Sequence, residues 1–351
     1  MTRESPRRAM VLALASSMIV AACSGTTDEP ASRGGPTTRT GQTRETTHET
    51  PARSRPTDDV PPLPPSSYPM PARLVAIGDV HGDVSAFRQV LRTAEAIDAA
   101  DHWIGGALVV VQTGDLLDRG DDEPEILALV SRLEHEASEA GGRFLALNGN
   151  HEVMNAQLDF RYVTPDGFRD YAEHRDEAGP RARRLPSAQR GRGAAFEPRS
   201  SIARQFAARN TVVIVGDTVF VHGGLTPQAA ALGLDAINRA TRDFYLGEGP
   251  ISPILASEES PIWYRGYAVE DTEETCAQLT QALEAVHASR MVIGHTVQEG
   301  GITHACEGRV YRIDVGLARY YEGPIQALDI TAPYTPAMGG TSGTRVLEGS
   351  R

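Results

Sequence analysis

The sequence contains no lysine, so all 34 of its basic residues are arginine. This absence excludes chemistry that needs a lysine amine, including Schiff-base catalysis, a phosphate-binding loop with an essential lysine and a serine–lysine dyad. The formal net charge is −12, which argues against a general nucleic-acid-binding protein. With 351 residues and 40% hydrophobic content, the chain can form one large α/β domain with tails.

Cysteine is scarce, with residues only at positions 23, 276 and 306. Cys276 and Cys306 flank an apolar run at 291–293. In an exported chain, a disulfide could join the helix before this run to the segment after it. Two free thiols are the alternative. A zinc site at these cysteines is disfavoured, because no further Cys or His has suitable spacing.

The first 23 residues have the pattern of an export signal. Three early arginines precede an apolar stretch at 9–22 that is too short to span a bilayer comfortably. The stretch ends in Val20-Ala21-Ala22-Cys23, which resembles the processing site of bacterial lipoproteins; an ordinary signal peptide is the alternative. We therefore expect an exported lipoprotein, anchored through lipid on Cys23 to a membrane facing the bacterial periplasm or to the outer membrane.

Two segments have the composition of a disordered chain. Residues 24–72 are rich in Thr, Pro, Arg and Ser and have almost no large apolar residue before Val60, so they cannot bury enough surface to become ordered. They are predicted to form a tether, stiffened at 61–65 by polyproline II structure. Residues 335–351 are predicted to form a flexible tail, which leaves 73–330 as the folded domain.

Alternating strand and helix patterns follow the tether. Apolar runs at 74–77, 108–111 and 144–147 predict buried strands, and helical spacing at 86–97 and 124–140 predicts helices between them. This order predicts a parallel sheet with helices on its faces. Further strands are predicted at 212–215 and 219–221, joined as a hairpin, and at 288–293, 309–313 and 325–330.

Five short motifs carry the side chains that metal ions prefer. They are Gly78-Asp79-Val80-His81-Gly82, Gly114-Asp115-Leu116-Leu117-Asp118-Arg119-Gly120, Gly149-Asn150-His151-Glu152, His222-Gly223-Gly224 and Gly294-His295-Thr296. Ligands collect at the carboxyl ends of parallel strands, where most of these motifs are predicted to lie. Taken singly, each motif also fits a helix cap or a core histidine, and it is their joint order that is specific.

In this order the motifs resemble those of the calcineurin-like metallophosphoesterases, and within them the phosphoprotein phosphatase branch. The resemblance covers roughly 73–330. It implies an α/β fold of the two-sheet α/β/β/α sandwich type, with two divalent ions (Mn, Fe or Zn) at the edge of the sandwich. A hydroxide that bridges the ions would attack phosphorus in line. The implied ligands are Asp79, His81 and Asp115 for the first ion, and Asp115, Asn150, His222 and His295 for the second.

The resemblance also assigns roles to residues around these ligands. His151 is the candidate general acid that protonates the leaving oxygen, and Asp118 is the carboxylate that pairs with it. Arg119 and Arg265 are the candidate phosphate clamps, because the planar guanidinium fork suits phosphate oxygens. A simple surface charge is the alternative for Arg265. Asp314 either orients a ligand histidine or closes a turn.

The chain departs from the eukaryotic Ser/Thr phosphatases. It lacks their Ser-Ala-Pro-Asn-Tyr stretch, and Trp263-Tyr264-Arg265 stands where those enzymes have a Trp-x-Asp-Pro type segment. The chain is more similar to the bacterial Shewanella-like phosphatases. Ser/Thr specificity therefore does not transfer to it.

Residues 153–210, here called the insert, separate the third and fourth motifs. We expect an irregular segment that forms a cap facing the substrate, with arginines that attract anions; a solvated variable loop is the alternative. The arginines are Arg175, Arg181, Arg183, Arg184, Arg190, Arg192, Arg199 and Arg204.

The leading hypothesis is a phosphatase dependent on two metal ions, acting on phosphoproteins, phosphopeptides or small phosphoesters. A dinucleotide polyphosphate hydrolase would share all five motifs, although export disfavours it. A third hypothesis is a surface lipoprotein that uses an inactive phosphatase fold for binding. The complete ligand set together with His151, Asp118 and Arg119 favours an enzyme. Acidic net charge makes a nuclease the weakest hypothesis.

Overall fold

Two β-sheets packed face to face form the centre of the fold. The computed structural model describes residues 62–331, 333–334 and 343–351. The predicted export signal, with Cys23, and the predicted tether up to residue 61 lie outside these residues, as does the predicted tail over 335–342. Among the helices in the described ranges, none combines the length and the hydropathy needed to cross a bilayer.

The strands divide into a six-stranded and a five-stranded sheet. They are β1 (Ser67–Tyr68), β2 (Leu74–Ile77), β3 (Val109–Gln112), β4 (Arg143–Ala146), β5 (Val212–Val215), β6 (Thr218–Val221), β7 (Arg290–Ile293), β8 (Thr303–Ala305), β9 (Val310–Arg312), β10 (Ile325–Ile330) and β11 (Thr344–Gly349). The six-stranded sheet has the order β1-β5-β6-β7-β9-β8, and the five-stranded sheet has the order β11-β10-β2-β3-β4.

Helices cover the outer faces of both sheets. They are α1 (Val84–Thr93), α2 (Glu123–Glu139), α3 (Asn150–Gln157), α4 (Pro165–Arg169), α5 (Arg190–Phe196), α6 (Ser201–Ala207), α7 (Pro227–Leu232), α8 (Leu234–Tyr245), α9 (Pro253–Ala256), α10 (Gly266–Val269) and α11 (Glu273–Ala285). Short 3-10 helices lie at Ala172–Glu177, Ala182–Arg184, Ser187–Gln189 and Cys306–Gly308.

Alternation along β2 shows how the layers are built. Leu74 and Ala76 face the core between the two sheets, which they share with Val213 and Phe220 of the other sheet. Val75 and Ile77 face the opposite core, under α1 and α2. A third apolar core lies under α7 and α11 on the outer face of the six-stranded sheet. Successive strand side chains point to opposite faces, so both sheets are buried on two sides and the α/β/β/α sandwich is confirmed.

Two predicted disordered segments are partly folded, so these predictions were wrong in part. Residues 344–349 of the predicted tail form β11, which pairs antiparallel with the whole of β10. At the other terminus, β1 pairs parallel with β5, and Asn210 Nδ2 donates to the carbonyl of Pro65 at 3.0 Å. Composition misses both segments, because backbone hydrogen bonds to strands that are already formed order them with few apolar anchors, such as Tyr68 and Leu347.

The insert is more regular than predicted. It contains α4, α5 and α6, and Phe196 and Phe206 from it are buried in the core beneath α2. The expectation of an irregular segment was therefore wrong. Arg181, Arg183 and Arg184 are exposed, so their attraction of anions stays a prediction. Arg192, in contrast, is fully buried.

A disulfide joins Cys276 on α11 to Cys306, which follows β8. The two residues are 30 positions apart, and β7 lies between them in the chain. The sequence left open a disulfide or two free thiols, and this pairing confirms the disulfide.

Candidate metal centre

Five strand ends bring the five motifs to one edge of the sandwich. Strands β2, β3 and β4 run parallel in one sheet, and β6 and β7 run parallel in the other. Each of these strands ends within four residues of a predicted ligand. In chain order, those ligands are Asp79, Asp115, Asn150, His222 and His295, and His81 lies two residues after the first.

Asp115 lies at the centre of the cluster. Its Oδ2 atom is 3.2 Å from His222 Nε2 and 3.9 Å from His81 Nε2. Potential ligand atoms of His81, Asp115 and His151 lie within 4.8 Å of one another, and so do those of Asp115, His222 and His295. Asp115 belongs to both groups, which is the position that a carboxylate shared by two ions must occupy.

Asn150 and His295 complete the second group. His222 Nε2 lies 2.8 Å from Asn150 Oδ1 and 3.1 Å from His295 Nδ1. Asn150 begins α3, so the turn after β4 directs its amide oxygen back towards the end of β6. Nitrogen and oxygen donors this close to one another form a donor set suited to Mn, Fe or Zn.

Backbone carbonyls orient two of the histidines. His81 Nδ1 donates to the carbonyl of Leu117, and His222 Nδ1 donates to the carbonyl of Thr113, each at 3.0 Å. A carbonyl can only accept, so the proton resides on Nδ1 and the Nε2 lone pair faces the cluster. This is the arrangement in which ligand histidines are normally held.

Burial keeps the histidines in their metal-binding form. Burial, with the nearby charge of His151, lowers the pKa of His81 to about 4. Burial and the His222 charge lower the pKa of His295 to about 2. Both rings are therefore neutral near pH 7, as a metal ligand must be. His295 Nε2 is buried without a hydrogen-bond partner in the described part of the chain. These residues fit a pair of divalent ions.

Asp79 is joined to the cluster through His295. Both of its carboxylate oxygens accept from the His295 backbone N–H, at 3.2 and 3.1 Å, and its Oδ2 lies 3.9 Å from His81 Nε2. Burial, followed by the charges of Asp314 and Asp115, raises the pKa of Asp79 well above its usual value. Such crowding of carboxylates is relieved when cations bind among them.

His151 and Asp118 form the expected pair. His151 Nδ1 lies 2.6 Å from Asp118 Oδ2, and His151 Nε2 lies 3.7 Å from Asp115 Oδ2, so the imidazole spans from Asp118 to the cluster. Burial alone would lower the pKa of His151, but the charge of Asp115 and the hydrogen bond to Asp118 raise it above its usual value. The ring can therefore hold a proton beside the cluster.

Arg119 lies among three tyrosine rings at the mouth of the cluster. Its guanidinium carbon is 4.4 Å from the ring centroid of Tyr162, 5.1 Å from Tyr320 and 5.3 Å from Tyr321. Tyr321 also packs against His81, with centroids 5.6 Å apart. The stacked rings hold the guanidinium without occupying its donors. Arg119 Nε has no hydrogen-bond partner among the described residues.

Arg265 and Asp314 lie on the other side of the cluster. Arg265 Nη1 donates to the His295 carbonyl at 2.9 Å and to Thr296 Oγ1 at 2.8 Å, which holds this exposed side chain beside a predicted ligand. Asp314 Oδ1 accepts from the Gly316 N–H at 3.0 Å, so it closes a turn. Burial raises the pKa of Asp314 to about 6.

The backbone is strained at several of these residues. Left-handed φ angles, which side chains rarely adopt, occur at His81 (47°), Asp115 (58°), Asp118 (67°), Arg119 (67°) and His295 (67°). Such conformations cost about 1–3 kcal/mol each and persist only where the surroundings enforce them.

Three buried residues hold the site together. No role was predicted for Glu123 or Glu152, and the prediction that Arg192 attracts anions was wrong, because Arg192 is fully buried. Glu152 accepts from the backbone N–H groups of Asp115, Leu116 and Gly149, at 3.0, 2.8 and 2.7 Å. Its place in the third motif was a visible signal. Glu123 and Arg192 form an ion pair at 2.6 Å across 69 positions, which no local pattern could reveal.

Comparison with known proteins agrees with this geometry. The calcineurin-like phosphoesterase family matches residues 72–299. Shewanella-like protein phosphatase 2 of Arabidopsis thaliana is 38% identical over 285 residues, which span 72% of this chain and 73% of the plant protein. The cold-active protein-tyrosine phosphatase of a psychrophilic Shewanella species superposes with a TM-score of 0.65 at 26% identity, over 82% of this chain and 83% of that one.

A yeast serine/threonine phosphatase shares the fold at 14% identity, with a TM-score of 0.54 over 82% of this chain and 85% of that one. The family match covers more than half of the chain, and the plant relative covers more than two thirds of it. The His/Asp clusters at the sandwich edge are those of a centre for two divalent ions. The chain therefore belongs to the calcineurin-like phosphoesterase family, and it is a metal-dependent hydrolase of phosphate esters.

Proposed function

We propose that this protein is a phosphatase for phosphorylated proteins or peptides that uses two divalent ions. The observation that carries the proposal is the position of Asp115 in both ligand groups, with the His151–Asp118 pair directly beside it. The names of the plant and Shewanella relatives, a protein phosphatase and a protein-tyrosine phosphatase, support a phosphoprotein substrate.

The proposed ligands are those predicted from the five motifs. Asp79, His81 and Asp115 would hold one ion, and Asp115, Asn150, His222 and His295 the other. When bound, the ions supply Lewis-acid chemistry and lower the pKa of the attacking water. The proposed native metals are Mn, Fe or Zn, because the mixed oxygen and imidazole donor set suits all three.

The remaining steps belong to side chains around the ligands. His151 would donate its proton to the leaving oxygen, with Asp118 fixing the ring from behind. Arg119 would bind the phosphoryl oxygens through donors that its tyrosine neighbours leave available, and Arg265 would bind them from the opposite side. The exposed ring of Tyr320 beside Arg119 would contact the rest of the substrate.

The test compares substrates side by side with purified protein and Mn²⁺. The substrates are a phosphotyrosine peptide, a phosphoserine peptide and a diadenosine polyphosphate, and Asp115→Asn is the inactive reference. Asp243→Asn, on α8 and outside the cluster, is the matched control. Peptide turnover that is lost only in Asp115→Asn is the expected result. Preference for the dinucleotide would identify a nucleotide hydrolase instead, and absence of all turnover would favour a binding module.

We also propose that the enzyme is exported and anchored by lipid on Cys23. The Val20-Ala21-Ala22-Cys23 sequence supports this, and the Cys276–Cys306 disulfide is consistent with an oxidising compartment. Labelling with a radioactive fatty acid should mark the wild-type protein in the membrane fraction. Cys23→Ala should lose the label; a variant that keeps it would rule out this anchor.

A further inference from the structure

Arg192 is completely buried beneath the site and has an acceptor for each of its N–H groups. Nε donates to Asn155 Oδ1 at 2.8 Å. Nη1 donates to Glu123 Oε2 at 2.6 Å and to the Gly167 carbonyl at 3.0 Å. Nη2 donates to Glu123 Oε1 at 2.8 Å and to Asp118 Oδ1 at 3.0 Å. These bonds use every N–H donor of the guanidinium, so none is left for a substrate anion.

The last of these bonds connects Arg192 to the candidate general acid. Asp118 Oδ1 accepts from Arg192 and from Asn155 Nδ2, both at 3.0 Å, while Asp118 Oδ2 faces His151 Nδ1. Asn155 Nδ2 also donates to the His151 carbonyl at 2.9 Å. The carboxylate is thus held on the side opposite the imidazole, which fixes its plane and therefore the direction of the ring.

Glu123 holds the backbone of Asp118, the residue that carries this carboxylate. Glu123 Oε1 accepts from the Asp118 N–H at 2.7 Å and from Arg192. Arg192, Asp118 and Glu123 are all fully buried, and burying such a set gives little net stability compared with apolar side chains of the same size. Stability alone therefore does not account for the network, whereas orientation of Asp118 does.

The insert is packed so that Arg192 reaches this place. A Cβ on Gly191 would lie 2.1 Å from the Tyr171 carbonyl oxygen, and one on Gly193 would lie 2.7 Å from Leu185 Cδ1. Glycine at both positions lets α5 approach its neighbours closely. Its one fully buried arginine is thereby placed against Asp118.

We propose that Arg192 is a positioning residue for proton transfer, acting on His151 through Asp118. The insert would thus contribute to catalysis from the buried side of the site, by orienting His151 Nε2 towards the leaving oxygen. This role would add to any contact that the exposed part of the insert makes with substrate. This inference rests on the proposed phosphatase function and on His151 as its general acid.

The test uses leaving groups that differ in their need for a proton. Phenyl phosphate has a poor leaving group, whereas p-nitrophenyl phosphate leaves readily without protonation. Arg192→Met should lower kcat for phenyl phosphate by about 10- to 100-fold, since a positioned acid contributes about 10²- to 10⁴-fold. It should lower kcat for p-nitrophenyl phosphate by about threefold or less and leave KM for both nearly unchanged. Arg190→Met, on the same helix, is the matched control, because the one side-chain hydrogen bond of Arg190 among the described residues goes to the Leu185 carbonyl.

Two further variants keep the test decisive if Arg192→Met folds poorly. Arg192→Met combined with Glu123→Gln removes the ion pair without leaving Glu123 charged, and Arg192→Lys keeps the charge but loses the fork. Both should show the same selective loss for phenyl phosphate. In a His151→Asn background the selective loss should vanish, because the two residues act through one proton.

A spectroscopic readout is independent of turnover. In metal-free protein, the imidazole N–H proton that disappears in His151→Asn should shift in Arg192→Met and stay in place in Arg190→Met. Equal losses for both leaving groups, or losses that add to those of His151→Asn, would reduce Arg192 to a structural role and leave the phosphatase function intact. Wild-type protein that hydrolyses neither these esters nor the phosphopeptides would overturn the proposed function itself, and this inference with it.

Discussion

The carboxylate of Glu152 accepts a hydrogen bond from the backbone N–H of Asp115, at 3.0 Å. The same carboxylate accepts from Gly149, so one buried side chain connects the turn after β3 to the start of α3. Asp115 and Asn150, which would share the second ion, therefore keep a fixed spacing. Glu152 is not a proposed ligand, yet it sets the geometry of two.

Glu152→Gln should weaken metal binding without abolishing folding. The amide can still accept at one oxygen, but its NH₂ group opposes the N–H donors at the other position. We expect the affinity for Mn²⁺ to fall by about 10- to 100-fold, as for other residues that orient ligands. Calorimetric titration measures this. The exposed Glu248→Gln is the control, and equal affinities in both variants would contradict the role.

Gly149→Ala should disrupt the spacing between Asp115 and Asn150 by pushing directly on Asp115. A Cβ at this position would lie 2.3 Å from Asp115 Oδ1 and 2.6 Å from the Asp115 backbone nitrogen. We expect a loss of activity together with weakened metal binding. Gly249→Ala, where a Cβ would meet open space, should behave as wild type. Comparable activity in the two variants would show that the site tolerates the displacement.

Arg119→Met should weaken phosphate binding more than it slows the reaction. Charge-assisted hydrogen bonds contribute about 1.5–3 kcal/mol, so the inhibition constant for inorganic phosphate should rise by about 10-fold or more. Arg119 and Arg319 line one cavity beside His81, so Arg319→Met is the matched control. A similar rise in both variants would indicate a general charge effect rather than a clamp.

Asp314→Asn should change how stability depends on pH in the metal-free protein. Burial raises the pKa of Asp314 to about 6, from an ordinary value of 3.8. The folded state therefore binds more protons than the unfolded state between these values, and this group costs stability as pH rises through that window. As pH rises from 4 to 7, the free energy of unfolding of the variant should increase by about 2 kcal/mol relative to that of wild type. Urea unfolding at both pH values measures it, and a difference independent of pH would refute it.

Reducing the Cys276–Cys306 disulfide should destabilise the domain. The bond closes a loop of 30 residues, and the chain-entropy relation gives about 3–4 kcal/mol for a loop of this length. Urea unfolding with and without a phosphine reductant measures the difference. Cys276→Ser with Cys306→Ser should match the reduced protein and should not respond to the reductant.

Strand positions were the most predictable part of the fold. The predicted strands at 74–77 and 325–330 coincide with β2 and β10. β2 was recognisable because a strand buried on both faces is a continuous apolar run. The helix predicted at 86–97 is α1, shifted to Val84–Thr93. Its start is fixed by Asp83, whose side chain accepts from the Ala86 N–H at 2.9 Å, and its end precedes a left-handed turn at Glu95. An Asp directly before an apolar helical pattern is a helix-start signal that a single sequence carries.

The site likewise has a part that the sequence predicts and a part that it does not. Ligand candidates were identifiable because each lies just after a strand, in a motif a few residues long. The groups that orient them were not identifiable, because Glu123 and Arg192 meet only after the insert has folded back on α2. Long-range pairing between buried charges leaves no periodic trace in a single sequence.

The left-handed backbone at Asp115, Asp118 and His295 has a thermodynamic consequence for ion capture. These residues lose their conformational entropy when the chain folds, not when an ion arrives. Capture should then proceed with little rearrangement and a small change in heat capacity, and bound ions should raise the melting temperature in proportion to the logarithm of their concentration. The centre would behave as a rigid site that folding preorganises before any ion binds.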